Sequence, residues 1–223
     1  MIGRIAIVYM ALLTGAGPAD AQTISLTPTN EKAWDFGINV GWLGGDKEEI
    51  AGEWNDWYDT FGTSVDVGRY WTPHLKTEAS VTFTTEGDVY SQEQFTLPGQ
   101  PFPIFFSREH RFGLTALNLS AAYQLFENSW VHPFLGAGVQ LGWERHRTET
   151  PFPTAFGRDG RGPFPVPLTD DPPDTTFDAR PFLSGGAKFY VTEQGFLRTD
   201  LSAAFDGHGA TRLSWRIGGG IDF

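Results

Sequence analysis

The chain has no cysteine among its 223 residues, which removes disulfide scaffolds, thiol catalysis and Cys-ligated metal sites together. It is also poor in positive charge: 16 Lys and Arg stand against 27 Asp and Glu, a formal net charge of −11. Phosphate binding along a nucleic acid needs a basic face, so this balance speaks against such a partner. Long apolar runs are missing too. The run over residues 5–13 is nine residues long, where a spanning helix needs about 20. With a mean hydropathy of −0.26 there is no bundle of membrane helices. A membrane β-barrel passes the same test, because its strands carry lipid-facing residues only at alternate positions. What is present is a load of aromatics, 15% of the chain, too high for a disordered polypeptide and of a length suited to one domain.

The first 21 residues read as an address rather than as structure. Arg4 gives a positive start, an apolar run follows, residues 15–18 break it, and Ala19-Asp20-Ala21 has the small-x-small form that signal peptidases accept. Cleavage after Ala21 is expected, leaving a mature domain over residues 22–223 outside the cytoplasm.

From residue 34 onward the dominant period is two. Trp34, Phe36, Ile38, Val40 and Trp42 point one way, while Asp35, Gly37, Asn39 and Gly41 point the other. Seven further segments repeat the design, at residues 61–71, 75–84, 115–125, 131–144, 182–191, 196–205 and 212–223. The spacing predicts eight alternating strands. Phe112 and Leu114 have the opposite parity to Leu117 and Leu119, which predicts a bulge near Thr115 or a strand top beyond the membrane.

The connections alternate in length. Those at 72–74, 127–130 and 192–195 are tight, whereas 44–60, 85–111 and 145–180 are long, with 206–211 the short exception. Outer-membrane barrels have short periplasmic turns and long external loops, and an even strand count puts both termini on the periplasmic side. Indoles gather near strand ends: Trp34, Trp71 and Trp130 towards the short turns, Trp42, Trp143 and Trp215 towards the long connections. Trp34 and Trp42 are eight residues apart. At about 3.3 Å per residue and a tilt near 40°, that spans roughly 20 Å, comparable to an apolar band of about 25 Å. Amphipathic rings favour such interfaces.

A soluble lipocalin-like barrel would place the apolar face inside. The opposite face argues against it, since Asp35, Asp66, Lys76, Glu78, Lys188, Arg198, Asp200 and Arg216 alternate with the apolar residues. Outward Trp, Phe, Leu and Val on every strand would make an aggregating surface in water. Apolar side chains outward and charges inward is therefore the expected orientation. Inside so narrow a lumen the charges must be paired, and these eight are the candidates for an ion-pair network. A gated ion path through the same residues is the rival reading.

With these features the sequence resembles the small eight-stranded outer-membrane β-barrels of the OmpA/OmpX type. The likeness rests on the signal segment, the 34–43 strand, the Tyr70-Trp71-Thr72-Pro73-His74-Leu75 turn and the strand start His132-Pro133-Phe134-Leu135-Gly136. The end, from Ile217 to a terminal Phe223, resembles the assembly signal of that family, which implies that the outer-membrane assembly machinery reads Phe223. The family likeness implies an all-β, antiparallel, up-and-down transmembrane barrel in a bacterial outer membrane. It implies little about function, because the family hosts adhesins, protective proteins and enzymes.

Catalytic signals are weak. His74 and His208 fall in turns, His132 faces the lumen, and His110 and His146 lie in the basic runs 108–111 and 145–147. No Ser has a nucleophile-elbow context, and alternation alone does not bring Ser, His and an acid together. An enzyme is not expected. The two basic runs could meet lipopolysaccharide phosphates, or balance acidic loops as a solvated rim. Pro-Phe-Pro occurs at 101–103, 151–153 and 163–165, which suits either a docking surface or a lid packed over the barrel mouth. Acidic clusters at 46–56 and 170–178 lack EF-hand spacing and read as solubilising segments. No metal or cofactor is expected. The reading is a scaffold that displays Pro/Phe-rich external segments, with membrane lipid around it and an external ligand for residues 145–180. A narrow channel for small solutes and a lipid-modifying enzyme are the alternatives.

Overall fold

The computed structural model describes residues 33–46, 57–96, 103–126, 130–149, 154–155, 164–165, 171–207 and 209–223. The leader over residues 1–21, its cleavage point, the three Pro-Phe-Pro triplets as units, most of the acidic cluster at 46–56, Asp170 of the second cluster, and His208 lie outside them. The strands are β1 (Trp34–Asp46), β2 (Trp57–Tyr70), β3 (Leu75–Thr84), β4 (Gly87–Phe95), β5 (Ile104–Gln124) and β6 (Val131–Glu149). After the two-residue pair β7 (Thr154–Ala155) and β8 (Phe164–Pro165) come β9 (Asp171–Tyr190), β10 (Gly195–Phe205) and β11 (Ala210–Asp222).

Every pairing is antiparallel, β3 also reaches β5 and β6 reaches β9, and β1 pairs with β11 from Asp35↔Asp222 to Gly45↔Arg212. β3 and β4 both lie on β5, the first along its C-terminal half and the second along its N-terminal half, so together they form one stave. The sheet is thus a closed barrel of eight staves. Closure pairs both edges of every stave around the belt, whereas the extended ends of β4 and β9 keep an edge without a strand partner among the described residues.

Alternation explains why these residues make these strands. Outward Ile38, Val40, Leu201 and Ile217 are about half exposed (54%, 54%, 50% and 49%), while inward Asp200 and Lys188 are 2% exposed. The outer face therefore carries an apolar belt that water would not tolerate on this scale. Two of the short turns share a device. Thr72 Oγ1 accepts the Leu75 amide at 2.9 Å, and Thr192 Oγ1 accepts the Gly195 amide at 2.7 Å. Each hydroxyl replaces a ladder partner where the chain reverses. The start of β1 and the end of β11 meet at this end of the barrel, where the Trp34 amide donates to the Phe223 carbonyl at 2.9 Å.

The structure corrects two expectations. No bulge interrupts β5 near Thr115: Phe112, Leu114 and Ala116 stay on the inward face and are nearly inaccessible. They join Leu43, Tyr58 and Val89 in an apolar plug inside the barrel. The irregularity is on the neighbouring stave. Phe83 faces Thr115 and Gly87 faces Phe112, so the segment through Thr85 and Glu86 has one residue more than β5 opposite it. This bulge moves the inward face of the stave from Thr82 and Thr84 to Val89 and Ser91. The second correction concerns the long connections. In 85–111 the ladder runs on from Gly87↔Phe112 to Phe95↔Ile104, and in 145–180 it reaches Thr148↔Asp171. Beyond the apolar belt the outer face turns polar while the inner face mixes apolar and polar residues, so the hydropathy alternation fades while the backbone pairing continues.

Thr60 secures the bulge. Its Oγ1 donates to the Thr85 carbonyl at 2.6 Å and lies 2.8 Å from Thr85 Oγ1. Thr60→Val keeps the shape and removes these bonds, so the urea midpoint of the refolded barrel should fall by the equivalent of about 1 kcal/mol.

Candidate functional site

Period-two alternation aims one side chain in two at the lumen, where the barrel radius brings opposite staves within reach of each other. The inward residues form layers from the short-turn end upward. In the first, Asp35 receives Lys76 Nζ at 2.5 Å and also Lys188 Nζ. Lys188 reaches Tyr70 Oη at 2.7 Å and Asp222 at 3.2 Å, and the Tyr190 hydroxyl donates to Asp222. Lys188 Nζ also lies 3.9 Å from the Phe196 ring centroid, a cation–π contact. Gly68 is what makes room: a Cβ there would lie 2.1 Å from both Asp35 Oδ1 and Lys76 Cε.

Lys76 also binds Glu78 at 2.5 Å, linking the first layer to the second. There Arg198 holds Glu78 at 2.6 Å, Asp200 at 2.9 Å and Asp66 at 3.5 Å. Arg216 takes the other oxygens of Asp200 and Asp66, at 2.9 and 3.5 Å. Asp66 completes its shell with the Asn39 amide at 2.6 Å. All eight charges named from the sequence sit in these two layers. Asp222, Tyr70, Tyr190 and Asn39 complete them, and the same parity was their signal.

Above lies a neutral layer around a cavity of about 40 Å³, lined by Ser80, Thr82, Asn118, Gln140, Ser202 and Ser214 among others. That is room for about three waters. A third charged layer follows. Arg212 binds Glu144 at 2.7 Å and Asp178 at 2.8 Å, and donates to Gln140 at 3.0 Å. Arg180 meets the same Asp178 at 2.8 Å. Asp178 and Arg180 belong by sequence to the 145–180 connection, and Asp178 to its solubilising acidic segment, a reading that their ion pairs with each other and with Arg212 correct.

Beside this layer stands the apolar plug, in which Tyr58 and Phe112 stack with ring centroids 5.0 Å apart. Over it sits a constellation that sequence reasoning missed. Ser91 Oγ lies 2.8 Å from His110 Nε2, and His110 Nδ1 lies 3.2 Å from Thr148 Oγ1. The His146 ring stacks on Phe112 at 4.8 Å. Val89↔His110 pairing brings Ser91 and His110 together across the β4–β5 ladder, visible only once residues 85–111 are known to be strands.

His74 and His132 occupy local roles. His74 Nδ1 is 3.0 Å from the Gln124 carbonyl, and the His132 ring packs 4.8 Å from that of Tyr190. The basic runs lie side by side, Arg111 facing Arg147. Three of their arginines are answered within the protein: Arg108 pairs with Glu93, Arg111 with Glu109 and Glu149, and Arg147 with Glu149. Among the described residues no group of three potential metal ligands is assembled. The six indoles named from the sequence stand on the outer face or its rim. Trp42 faces Trp215 across the closing seam, Trp143 packs on Phe177 at 5.3 Å, and Trp34, Trp71 and Trp130 mark the short-turn end.

No family model and no curated protein matches the chain. Among solved structures it is similar to Neisserial surface protein A, with a TM-score of 0.52 and 12% identity over 86% of this chain and 98% of that one. It also aligns with the outer membrane protein OprG from Pseudomonas aeruginosa, at TM-score 0.49 and 12% identity over 87% and 98% of the two chains. A third alignment is with Ail, the attachment invasion locus protein of Yersinia pestis, at TM-score 0.47 and 9% identity over 86% and 99%. Eight antiparallel staves, a closed seam, an apolar outer belt and the likeness to the Neisserial protein lead to one conclusion: the chain has the fold of the small outer-membrane β-barrels.

Proposed function

We propose that this chain is an outer-membrane protein whose barrel is a closed, non-conducting scaffold, holding the extended ends of its strands outside the membrane. The observation that carries the reading is the crosslinked lumen. Arg198 on β10 binds Glu78 on β3, four staves away and so on the opposite wall, while Arg216 and Asp66 close in from β11 and β2, so side chains bridge the bore where a solute would have to pass. The apolar belt supports lipid as the surrounding solvent. Residues 1–21 would direct export, both termini would face the periplasm, and Phe223 would serve the assembly machinery. The display surface would comprise the β4–β5 hairpin and residues 145–180, where an external ligand would bind. Because Arg108, Arg111 and Arg147 already have carboxylate partners, lipopolysaccharide phosphates would have to compete for them.

The test is single-channel recording of the refolded barrel in planar bilayers. No steady unit conductance is expected. A reproducible conductance would instead establish the narrow-channel reading.

One observation favours a second reading, hydrolysis of lipid esters: the Ser91–His110 contact at 2.8 Å has the geometry of an activated hydroxyl. The far ring nitrogen meets the neutral hydroxyl of Thr148, where a hydrolytic triad places an acid. Incubation with phospholipid vesicles should release no fatty acid. Release that disappears in Ser91→Ala would establish the enzymatic reading.

A further inference from the structure

We infer that Arg69, held between Trp34 and Trp71, binds the phosphate of a phospholipid in the leaflet at the short-turn end of the barrel. The inference rests on the membrane reading above and adds a defined site to it.

Arg69 stands alone in its surroundings. From Trp42, Phe61, Trp143 and Trp215 down to the short turns, it is the one charged residue at an outward strand position among the described residues. Every other outward position there is apolar, Gly, Pro, Thr or Tyr. Arg69 is exposed, and no carboxylate or other acceptor of the described residues engages its guanidinium. Its contacts are with aromatic faces: Cζ lies 4.3 Å from the Trp71 ring centroid and 5.3 Å from that of Trp34.

The cradle is itself fixed. Trp34, Arg69 and Thr77 lie in one row across β1, β2 and β3. The Trp71 indole donates to Thr77 Oγ1 at 2.9 Å, which fixes its ring beside the guanidinium. Stacking on indoles leaves the in-plane N–H donors of an arginine free, and a pair of parallel N–H bonds is the arrangement that matches a phosphate. Interfacial indoles mark the level of lipid headgroups. At that level a lipid-facing cation is tolerated at a cost of about 0–1 kcal/mol, and a phosphate supplies the missing counter-charge. The lumen's cations have their carboxylates, as do Arg108, Arg111 and Arg147 at the rim. Arg69 faces lipid.

The experiment is native mass spectrometry of the refolded chain, titrated with phosphatidylglycerol and with a diacylglycerol of the same acyl chains. The wild type should retain one phosphatidylglycerol in preference to diacylglycerol. Arg69→Gln should weaken that retention about tenfold, the size of one charge-assisted hydrogen bond. Arg69→Lys, which keeps the charge without the planar fork, should fall between the two. Equal retention by wild type and Arg69→Gln, or equal retention of the two lipids by the wild type, overturns the inference. If the wild type does not fold into lipid vesicles at all, by heat-modifiable electrophoretic mobility, the membrane reading fails and takes the site with it. Normal insertion with unchanged lipid retention sinks the site alone.

Discussion

Arg198→Met is expected to lower the stability of the refolded barrel by about 3–5 kcal/mol, the cost of removing one partner from a buried ionic set. Arg198 is 6% exposed and is the partner shared by Glu78, Asp200 and Asp66. Without it Glu78 keeps only Lys76, which Asp35 also claims, and Asp66 and Asp200 are left to Arg216. Methionine fills much of the volume and still packs on Phe134, whose ring centroid lies 4.8 Å from Arg198 Cζ. The loss is therefore electrostatic rather than a cavity effect. Urea unfolding from lipid vesicles, followed by tryptophan fluorescence, measures it.

The companion variant separates pairing from packing. With Glu78→Met added, one stranded carboxylate is gone and Lys76 keeps Asp35, so the double variant should regain a substantial part of the loss. Replacing a buried ion pair by apolar residues is often neutral or better, whereas halving it is not. A double-mutant cycle that shows simple additivity would mean that Arg198 and Glu78 act independently. It would then take away the physical basis of the crosslinked lumen.

The staves within the belt were legible because lipid on one side and polar side chains on the other impose opposite chemistry on alternate residues. Higher up that contrast is lost, and with it the signal. In β4 the outward residues are Asp88, Tyr90, Gln92 and Gln94, and the inward ones include Val89 and Ser91. Neither face is uniformly apolar, so the strand reads as a connection. Phe112 and Leu114 misled for the converse reason: the lumen beside them is itself apolar, and greasy residues there point inward without any break in the backbone. The displaced bulge at Thr85 and Glu86 has no marker in its own residues and shows only as a mismatch in pairing between two staves.

Partners were harder to read than faces. Lys188 and Asp35 are 153 positions apart, and meet because β9 and β1 lie three staves apart around the closed sheet at matching heights. Alternation assigns each side chain to a face. Height around the cylinder depends on the stagger accumulated from stave to stave, which no local pattern encodes. The Ser91–His110 contact was hidden twice over, by the missed strand and by the shift of face at the bulge.

Gly218→Val is expected to prevent closure of the barrel, or to cost about 3 kcal/mol or more where closure still occurs. Gly218 lies on β11 in the seam with β1, opposite Asn39. A Cβ at this position would stand 2.1 Å from the Ile38 carbonyl oxygen and 2.4 Å from Asn39 Oδ1. The first of these atoms belongs to backbone that cannot swing aside, and the second to the amide that supports Asp66. The clash is a property of the seam: a Cβ at Gly41 would lie 2.2 Å from the Trp215 carbonyl, and one at Gly220 would lie 2.2 Å from that of Phe36. Inward glycines on both strands let the two backbones curl tightly enough to meet. The neighbouring residue is the control. Gly219 points outward, where a Cβ would have ordinary contacts at 3.4 and 3.7 Å, so Gly219→Ala should stay within about 0.5 kcal/mol of wild type. In electrophoresis of unheated samples, Gly219→Ala should run with the compact folded band and Gly218→Val with the unfolded one. If the two variants fold alike, the close approach of β1 and β11 does not govern closure, and the glycines of the seam need another explanation.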